Sequence, residues 1–104
     1  MTGAEFSLYI LRCSDDTLYT GITTDVEGRI AQHESGARGA KYLRGKGPLK
    51  LEFAEAVGDR AHASRLEYRV KRLSRADKEA LIRGDRTLGE LDQVAGSGSD
   101  SGSG

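Results

Sequence analysis

The fold is decided by residues 6–23, which read FSLYILRCSDDTLYTGIT. Two short runs of aliphatic and aromatic residues, at 6–12 and 18–22, flank the polar turn sequence SDDT at 14–17. Runs of this kind on either side of a short polar turn predict two antiparallel strands in a β-hairpin. The hairpin is the nucleus to which the remaining elements are expected to attach.

Each predicted strand carries a tyrosine, Tyr9 on the first and Tyr19 on the second. Side chains on facing strands come within reach of one another, so the two phenols can approach across the sheet. Strand tyrosines are also ordinary core aromatics, and a free phenol has a pKa of about 10. For a phenol to act as a base near neutral pH, a nearby cation must lower that pKa.

A helix start follows the hairpin at once. Thr24 and Glu27 are spaced as a capping box, in which the Thr24 hydroxyl accepts from the Glu27 amide and the Glu27 carboxylate reaches back. The first helix is therefore predicted to run to about Glu34, before the stop signal at 35–36.

That helix carries two chemistry-bearing residues, Arg29 and His33, which lie four positions apart and so point the same way. A planar guanidinium is well suited to stabilise negative charge on a pentacovalent phosphorus. The alternatives are that Arg29 only pairs with Asp25, and that His33 only complements the helix dipole.

The rest of the chain predicts one more strand and two more helices. Residues 36–48 are glycine-rich and basic and predict a loop, which is followed by a strand at 49–57. Asp59 is the expected N-cap of the second helix, and Ser74 caps a third helix that ends near Arg83. Residues 96–104 are glycine, serine and one aspartate, a composition that predicts a disordered tail.

Glu67 lies on the second helix at the edge of its apolar stripe rather than on the solvent face. A carboxylate in that position needs a partner, and one carboxylate with waters and a substrate phosphate is a normal way to hold Mg²⁺. The alternative is a salt bridge to Arg60, Lys71 or Arg29. The same helix presents three arginines at i, i+4 and i+7, which could follow a phosphate backbone: Arg65, Arg69 and Arg72.

The length and composition of the chain limit the classes of protein to which it can belong. A chain of 104 residues predicts one domain, and its single cysteine, Cys13, excludes an internal disulfide framework. No apolar run approaches the ~20 residues of a membrane span, and the first residues lack a secretory signal, so a cytoplasmic location is expected.

The net charge is zero, with 16 basic and 16 acidic side chains, but it is unevenly distributed. Residues 1–35 carry −4, residues 36–83 carry +7 and residues 84–104 carry −3. Such segregation can create a local positive field on a neutral molecule and favours a polyanionic partner, although solvated helix faces would give the same pattern.

These residues together resemble the GIY-YIG nuclease superfamily. The pattern is carried by Leu8-Tyr9-Ile10, Tyr19-Thr20-Gly21, Arg29, His33 and Glu67. Further segments are similar to the small stand-alone YhbQ-like (URI-domain) proteins: LYTGITTDV at 18–26, GAK at 39–41, LRGKG at 43–47 and VGDR at 57–60. The first motif begins with Leu8 rather than glycine, and Ile22 stands where repair-type members can carry a lysine.

The resemblance implies an α+β fold, a three-stranded antiparallel sheet flanked by helices in the order β-β-α-β-α-α. The nuclease domain would span residues 1–95, with its core at about 6–83. The implied catalytic residues are Tyr9, Tyr19, Arg29, His33 and Lys41, with Glu67 as the ligand of a single divalent metal. The implied nucleic-acid contacts are Gly21, through close backbone approach, and Arg38, Arg44, Lys46, Arg65, Arg69 and Arg72.

The resulting functional prediction is an endonuclease that hydrolyses DNA, or alternatively RNA, with Mg²⁺ or Mn²⁺. One of the two tyrosines would position or deprotonate the attacking water, Arg29 would stabilise the transition state and His33 would assist it. Without a separate recognition domain, sequence specificity should be low or supplied by a recruiting protein. The alternatives are a non-catalytic nucleic-acid-binding module and a partner-recruited domain with dormant activity.

Overall fold

The computed structural model describes residues 5–35 and 48–91. The element bounds are β1 Phe6–Arg12, β2 Leu18–Thr23, α1 Val26–Ser35, β3 Lys50–Gly58, α2 Arg60–Lys71 and α3 Arg75–Arg83. The order is the predicted one, and each predicted bound lies close to the observed one. The predictions for the basic loop up to residue 47 and for the tail from residue 96 fall outside the described residues.

The hairpin closes through its own backbone. The Cys13 amide donates to the Thr17 carbonyl at 2.9 Å, and the Asp16 amide donates to the Cys13 carbonyl at 2.8 Å. Asp16 has a φ of 71°, a left-handed conformation that aspartate tolerates better than most residues. Asp15 accepts from both the amide and the hydroxyl of Thr17, which fixes the turn.

The sheet is antiparallel throughout, in the order β2-β1-β3, so β1 lies in the centre. Successive side chains of a strand point to opposite faces. Leu8 and Ile10 therefore pack into a core with α2 and α3, while Tyr9 and Leu11 face the opposite way, toward α1. The outcome is three layers, with the sheet between α1 on one side and α2 with α3 on the other.

The α1 cap differs from the prediction. The helix begins one residue later than the capping box implied, and Asp25 rather than Thr24 is the cap: its carboxylate accepts from the Gly28 amide at 3.1 Å. The reason is local, because β2 continues to Thr23 and the Thr23 hydroxyl accepts from the Asp25 amide at 3.1 Å. This turn fixes Asp25 outside the helix, where its negative charge also complements the helix dipole.

The other two helices begin as predicted. Asp59 accepts from the His62 amide at 2.9 Å, and Ser74 accepts from the Asp77 amide at 3.1 Å. α3 ends at Gly84, whose φ of 89° is the left-handed conformation that glycine adopts without strain. Among the described residues, no helix combines the length and the apolar character that crossing a bilayer requires.

A charged network that the sequence did not predict joins β1, β3 and α3. The Arg12 guanidinium bonds Glu52 at 2.7 Å and Glu79 at 2.8 Å and 3.1 Å. It also pairs with Asp16 at 2.9 Å, and Arg75 bonds both Glu79 and Asp16 from the other side. Hydrogen bonds from Arg12 and Arg75 lower the pKa of Glu79 to about 2. One planar side chain thus holds three acids from separate parts of the fold.

Arg12→Leu should therefore destabilise the protein by more than the ~1 kcal/mol upper limit of an isolated exposed pair. Arg12→Lys should lower the free energy of unfolding by a smaller amount, because an ammonium keeps the charge but cannot make the forked contacts of a guanidinium. Urea unfolding followed by circular dichroism measures both changes. Arg83→Leu is the control, since Arg83 pairs with an exposed Asp85 and should cost far less. Equal losses in Arg12→Leu and Arg83→Leu would contradict the network's role.

Candidate active site

Three aromatic rings meet on the α1 side of the sheet. Tyr9 lies opposite Gly21 in the β1–β2 register and Tyr19 lies opposite Leu11, so the two phenols are diagonal neighbours. Their ring centroids are 6.3 Å apart, and the approach expected of the hairpin is observed. The His33 ring from α1 completes the group, at 5.5 Å from Tyr19 in an edge-on arrangement and 6.3 Å from Tyr9.

The centre of the group is a buried hydrogen bond between the Tyr9 hydroxyl and His33 Nε2, at 3.0 Å. Tyr9 is 1% exposed and His33 3% exposed. The Arg29 guanidinium also lies near enough to the Tyr9 side chain to lower the pKa of that phenol. A protonated phenol can donate the hydrogen bond between Tyr9 and His33 to Nε2 of a neutral imidazole.

The environment holds both groups in those protonation states. Burial is the main cause that raises the pKa of Tyr9 to about 12; the charges of Tyr19 and Glu67 also raise it, and Arg29 lowers it. Burial lowers the pKa of His33, and the positive charge of Arg29 adds to that effect. At neutral pH the pair is therefore a protonated phenol and a neutral imidazole, a matched donor and acceptor.

Arg29 has a hydrogen-bond partner on its own helix. Its Nη1 donates to Gln32 Oε1 at 2.9 Å, one turn along α1. The partner of the guanidinium on α1 is thus Gln32, whereas the Asp25 carboxylate of the alternative interpretation accepts from the Gly28 amide. Gln32 was missed as a site residue, although its i+3 spacing from Arg29 was the available signal.

Glu67 comes from α2, the helix that covers the other face of the sheet. Its side chain is 24% exposed and pairs with Lys71 at 3.3 Å, so one of the three salt-bridge alternatives is present. It nevertheless lies close enough to Tyr9 for its charge to raise the pKa of that phenol. Glu67 thus acts on the Tyr9 phenol through its charge, and this is the smallest of the causes that shift the pKa of Tyr9.

The donor set fits a single hard cation. Within residues 5–35 and 48–91, no group of three or more histidine, cysteine, aspartate or glutamate side chains could hold a metal ion. A partly exposed carboxylate such as Glu67 suits Mg²⁺ or Mn²⁺, which keep several waters and bind substrate phosphate oxygens alongside one or two carboxylates. Glu67 is therefore the residue that would hold the ion.

The prediction for Gly21 needs correction. Glycine was expected there to allow close backbone approach to nucleic acid, but Gly21 is buried beneath Tyr9. A Cβ at this position would lie 2.6 Å from the Tyr9 hydroxyl oxygen and 2.7 Å from its Cζ. The missing side chain makes room for the phenol, so Gly21 is a positioning residue for Tyr9.

The predicted phosphate contacts divide into two groups. Arg65 and Arg72 are exposed on α2, and Arg69 is half-buried beside them. The remaining predicted contacts, and the predicted catalytic lysine, lie outside the described residues: Arg38, Lys41, Arg44 and Lys46.

Gly21→Ala should displace the Tyr9 ring and break its bond to His33. Overpacking a well-filled interior costs about 1–3 kcal/mol of unfolding free energy, measurable by urea titration. Gly89→Ala is the matched control, because a Cβ there meets only the Thr87 hydroxyl at 3.7 Å. If the two alanine variants are equally stable, the missing side chain of Gly21 is not what makes room for the Tyr9 ring.

The stability of the fold should fall on mild acidification because of His33. Its folded-state pKa is lowered, so the unfolded chain binds the proton first as the pH falls. The contribution is complete above the ordinary histidine pKa of about 6.5 and is lost as the pH falls through the folded-state pKa. His33→Asn should flatten the slope of unfolding free energy against pH in this range. An unchanged slope in His33→Asn would exclude this titration.

Comparison with known proteins identifies the class to which this site belongs. Residues 5–80 match the GIY-YIG catalytic domain. The chain is 56% identical over 84 residues to the UPF0213 protein YhbQ of Escherichia coli O1:K1, covering 81% of this chain and 83% of that protein. It is 54% identical over 81 residues to a UPF0213 protein of Cronobacter sakazakii, covering 78% and 84%. The solution NMR structure of the UPF0213 protein BH0048 from Bacillus halodurans matches with a TM-score of 0.50 and 49% identity, covering 76% of this chain and 83% of that one. The chain therefore belongs to the GIY-YIG family of nuclease-type domains, among its UPF0213 members.

Proposed function

We propose that this protein is a divalent-metal-dependent endonuclease that hydrolyses phosphodiester bonds in DNA, or alternatively RNA. One observation carries the proposal. The Tyr9 phenol hydrogen-bonds His33 and lies beside Tyr19, and the charges of Arg29 and Glu67 both reach it. Two phenols, a guanidinium and a carboxylate are the groups that phosphodiester hydrolysis needs.

The two tyrosines have different roles in this proposal. With a pKa of about 12, Tyr9 keeps its proton at neutral pH and serves as a fixed hydrogen-bonding group rather than a base. Tyr19 is only half-buried and lies beside it, so it is the phenol that can meet an attacking water. We assign Tyr19 to positioning and deprotonating that water.

Arg29 is the proposed stabiliser of the transition state. Its hydrogen bond to Gln32 holds the guanidinium in place before substrate arrives. Charge developing on the phosphate oxygens then meets a donor that needs no rearrangement, which is the main source of electrostatic catalysis. His33 acts through Tyr9, whose ring it orients.

Glu67 is the proposed holder of Mg²⁺ or Mn²⁺. When bound, such an ion supplies positive charge to phosphate oxygens and lowers the pKa of a bound water. The carboxylate must exchange its Lys71 partner for the ion, and Lys71 then becomes available to the substrate's negative charge.

Sequence specificity should be low, since the proposed contacts of Arg65, Arg69 and Arg72 are to phosphates, which carry no base information. A recruiting protein, a role in DNA repair and a cytoplasmic location remain predictions.

A second candidate is a metal-free nucleic-acid-binding module. It is favoured by the Glu67–Lys71 contact of 3.3 Å, in which an ammonium already neutralises the carboxylate. Such a module would need the arginines of α2 but not Glu67 or Tyr19.

A nicking assay on supercoiled DNA with Mg²⁺ or Mn²⁺ separates the two candidates. Glu67→Gln and Arg29→Ala should each reduce the rate at least about 100-fold, the usual cost of removing one charge-stabilising group. Binding to the same DNA should change little. Glu90→Gln is the matched control for Glu67, because Glu90 is an exposed acid in an i,i+4 pair with Arg86.

Arg83→Ala serves as the control for Arg29. Nicking at the wild-type rate in Glu67→Gln would reject the metal-dependent endonuclease. Binding without nicking by the wild-type protein, with every metal tried, would favour the binding module.

A further inference from the structure

The solvent-facing side of α2 carries an aromatic side chain that the proposed chemistry does not use. Tyr68 is 61% exposed, the more exposed of the two large hydrophobic side chains that stand out on the described surface. The Arg72 guanidinium lies over its ring at 5.4 Å from the centroid, and Arg72 Nη1 donates to the Tyr68 hydroxyl at 3.4 Å. We call this stacked pair the Tyr68–Arg72 platform.

Within residues 5–35 and 48–91, no acid forms an ion pair with the arginines around the platform, which are Arg65, Arg69 and Arg72. The arginines of α3 and its C-terminal turn behave differently, since Arg75 and Arg86 are both held by acids. The α2 arginines are therefore available to an anionic partner.

A hollow of about 210 Å³ adjoins the platform. It is lined by Tyr68, Arg69, Arg72, Leu73 and Leu91. These residues supply an aromatic ring, two guanidinium groups and two aliphatic side chains. A nucleobase attached to a phosphate has the complementary form, with a flat apolar face beside a negative charge.

The platform lies next to the proposed catalytic carboxylate. Tyr68 follows Glu67 directly on α2, so their Cα atoms differ by one step of 1.5 Å along the axis and about 100° around it. A helix with its side chains is only about 10–12 Å across. A strand whose phosphate is held at Glu67 would therefore carry its neighbouring nucleotides to the platform.

We propose that Tyr68 and Arg72 stack an unpaired nucleobase of single-stranded nucleic acid beside the phosphate to be cut. The inference rests on the proposed function and names its substrate class. Within a duplex each base is covered above and below by its neighbours, so only an unpaired base offers a free face. The substrate would then be single-stranded or contain a single-stranded segment.

Fluorescence anisotropy with short labelled strands tests this proposal, in EDTA so that binding is measured without cleavage. Oligothymidylate, oligouridylate and an abasic strand of equal length provide the comparison. The wild-type protein should bind a base-containing strand about tenfold or more tightly than the abasic strand, the scale of one base–aromatic stack. Comparing the affinity for the thymidylate strand with that for the uridylate strand shows whether the stacked base comes from DNA or RNA.

The variants assign that preference to the platform. Tyr68→Ala should abolish the preference for bases, and Tyr68→Phe should keep it because the π-face remains. Arg65→Ala is the matched charge control: it should weaken binding to all the strands, with the ratio unchanged. A preference that survives in Tyr68→Ala would overturn the proposal.

Nicking measured separately distinguishes this failure from failure of the proposed function. If cleavage depends on Glu67 but Tyr68→Ala keeps the preference for bases, the role of the Tyr68–Arg72 platform is overturned. The proposed endonuclease activity then stands. A Tyr68-dependent preference in a protein that never cleaves supports the platform and overturns only the endonuclease.

Discussion

The hydrogen bond between Tyr9 and His33 is the constraint on which the rest of the site depends. A hydroxyl buried to 1% exposure in a mainly apolar cluster must be paired, because an unsatisfied buried polar group costs about 1–3 kcal/mol. Its partner comes from α1, so the bond fixes that helix against β1. Arg29 lies one turn earlier on the same helix and is thereby brought to the same phenol. Satisfying one buried donor thus assembles the candidate active site.

The two faces of the sheet differ in what they carry: one packs into the apolar core, and the other carries the buried polar groups of the candidate active site. On one face, Leu8 and Ile10 pack with α2 and α3 in an apolar core that needs no polar partner. On the other, Tyr9 brings polar atoms into the interior, and each must be matched. Among the described residues, every buried side-chain nitrogen and oxygen has a hydrogen-bond partner. The polar face is therefore a completed network rather than a weakly packed region, and Gly21 leaves the volume that the network needs.

Local signals predicted the elements well, and long-range contacts could not be predicted from them. The SDDT turn and the caps at Asp59 and Ser74 each depend on a few neighbouring residues, and they were found where expected. The α1 cap was displaced to Asp25 because β2 continues to Thr23, whose hydroxyl accepts from the Asp25 amide. The Arg12–Glu79 contact joins residues 67 positions apart, and no local pattern encodes it. The hairpin likewise predicted that the two phenols can approach each other, but not which of them would be buried.

The strength of the Glu67–Lys71 pair bears on both candidate functions. Its two side chains are 24% and 53% exposed, and an i,i+4 pair of that kind contributes only about 0.3–0.5 kcal/mol. A divalent ion carries twice the charge of the ammonium and is ligated directly by the carboxylate, together with phosphate oxygens. The ammonium is therefore a weak resting partner that substrate and metal can displace. Because Lys71 stays tethered one turn away, its charge remains near the phosphate after the exchange, so the same residue can neutralise the empty site and support the occupied one.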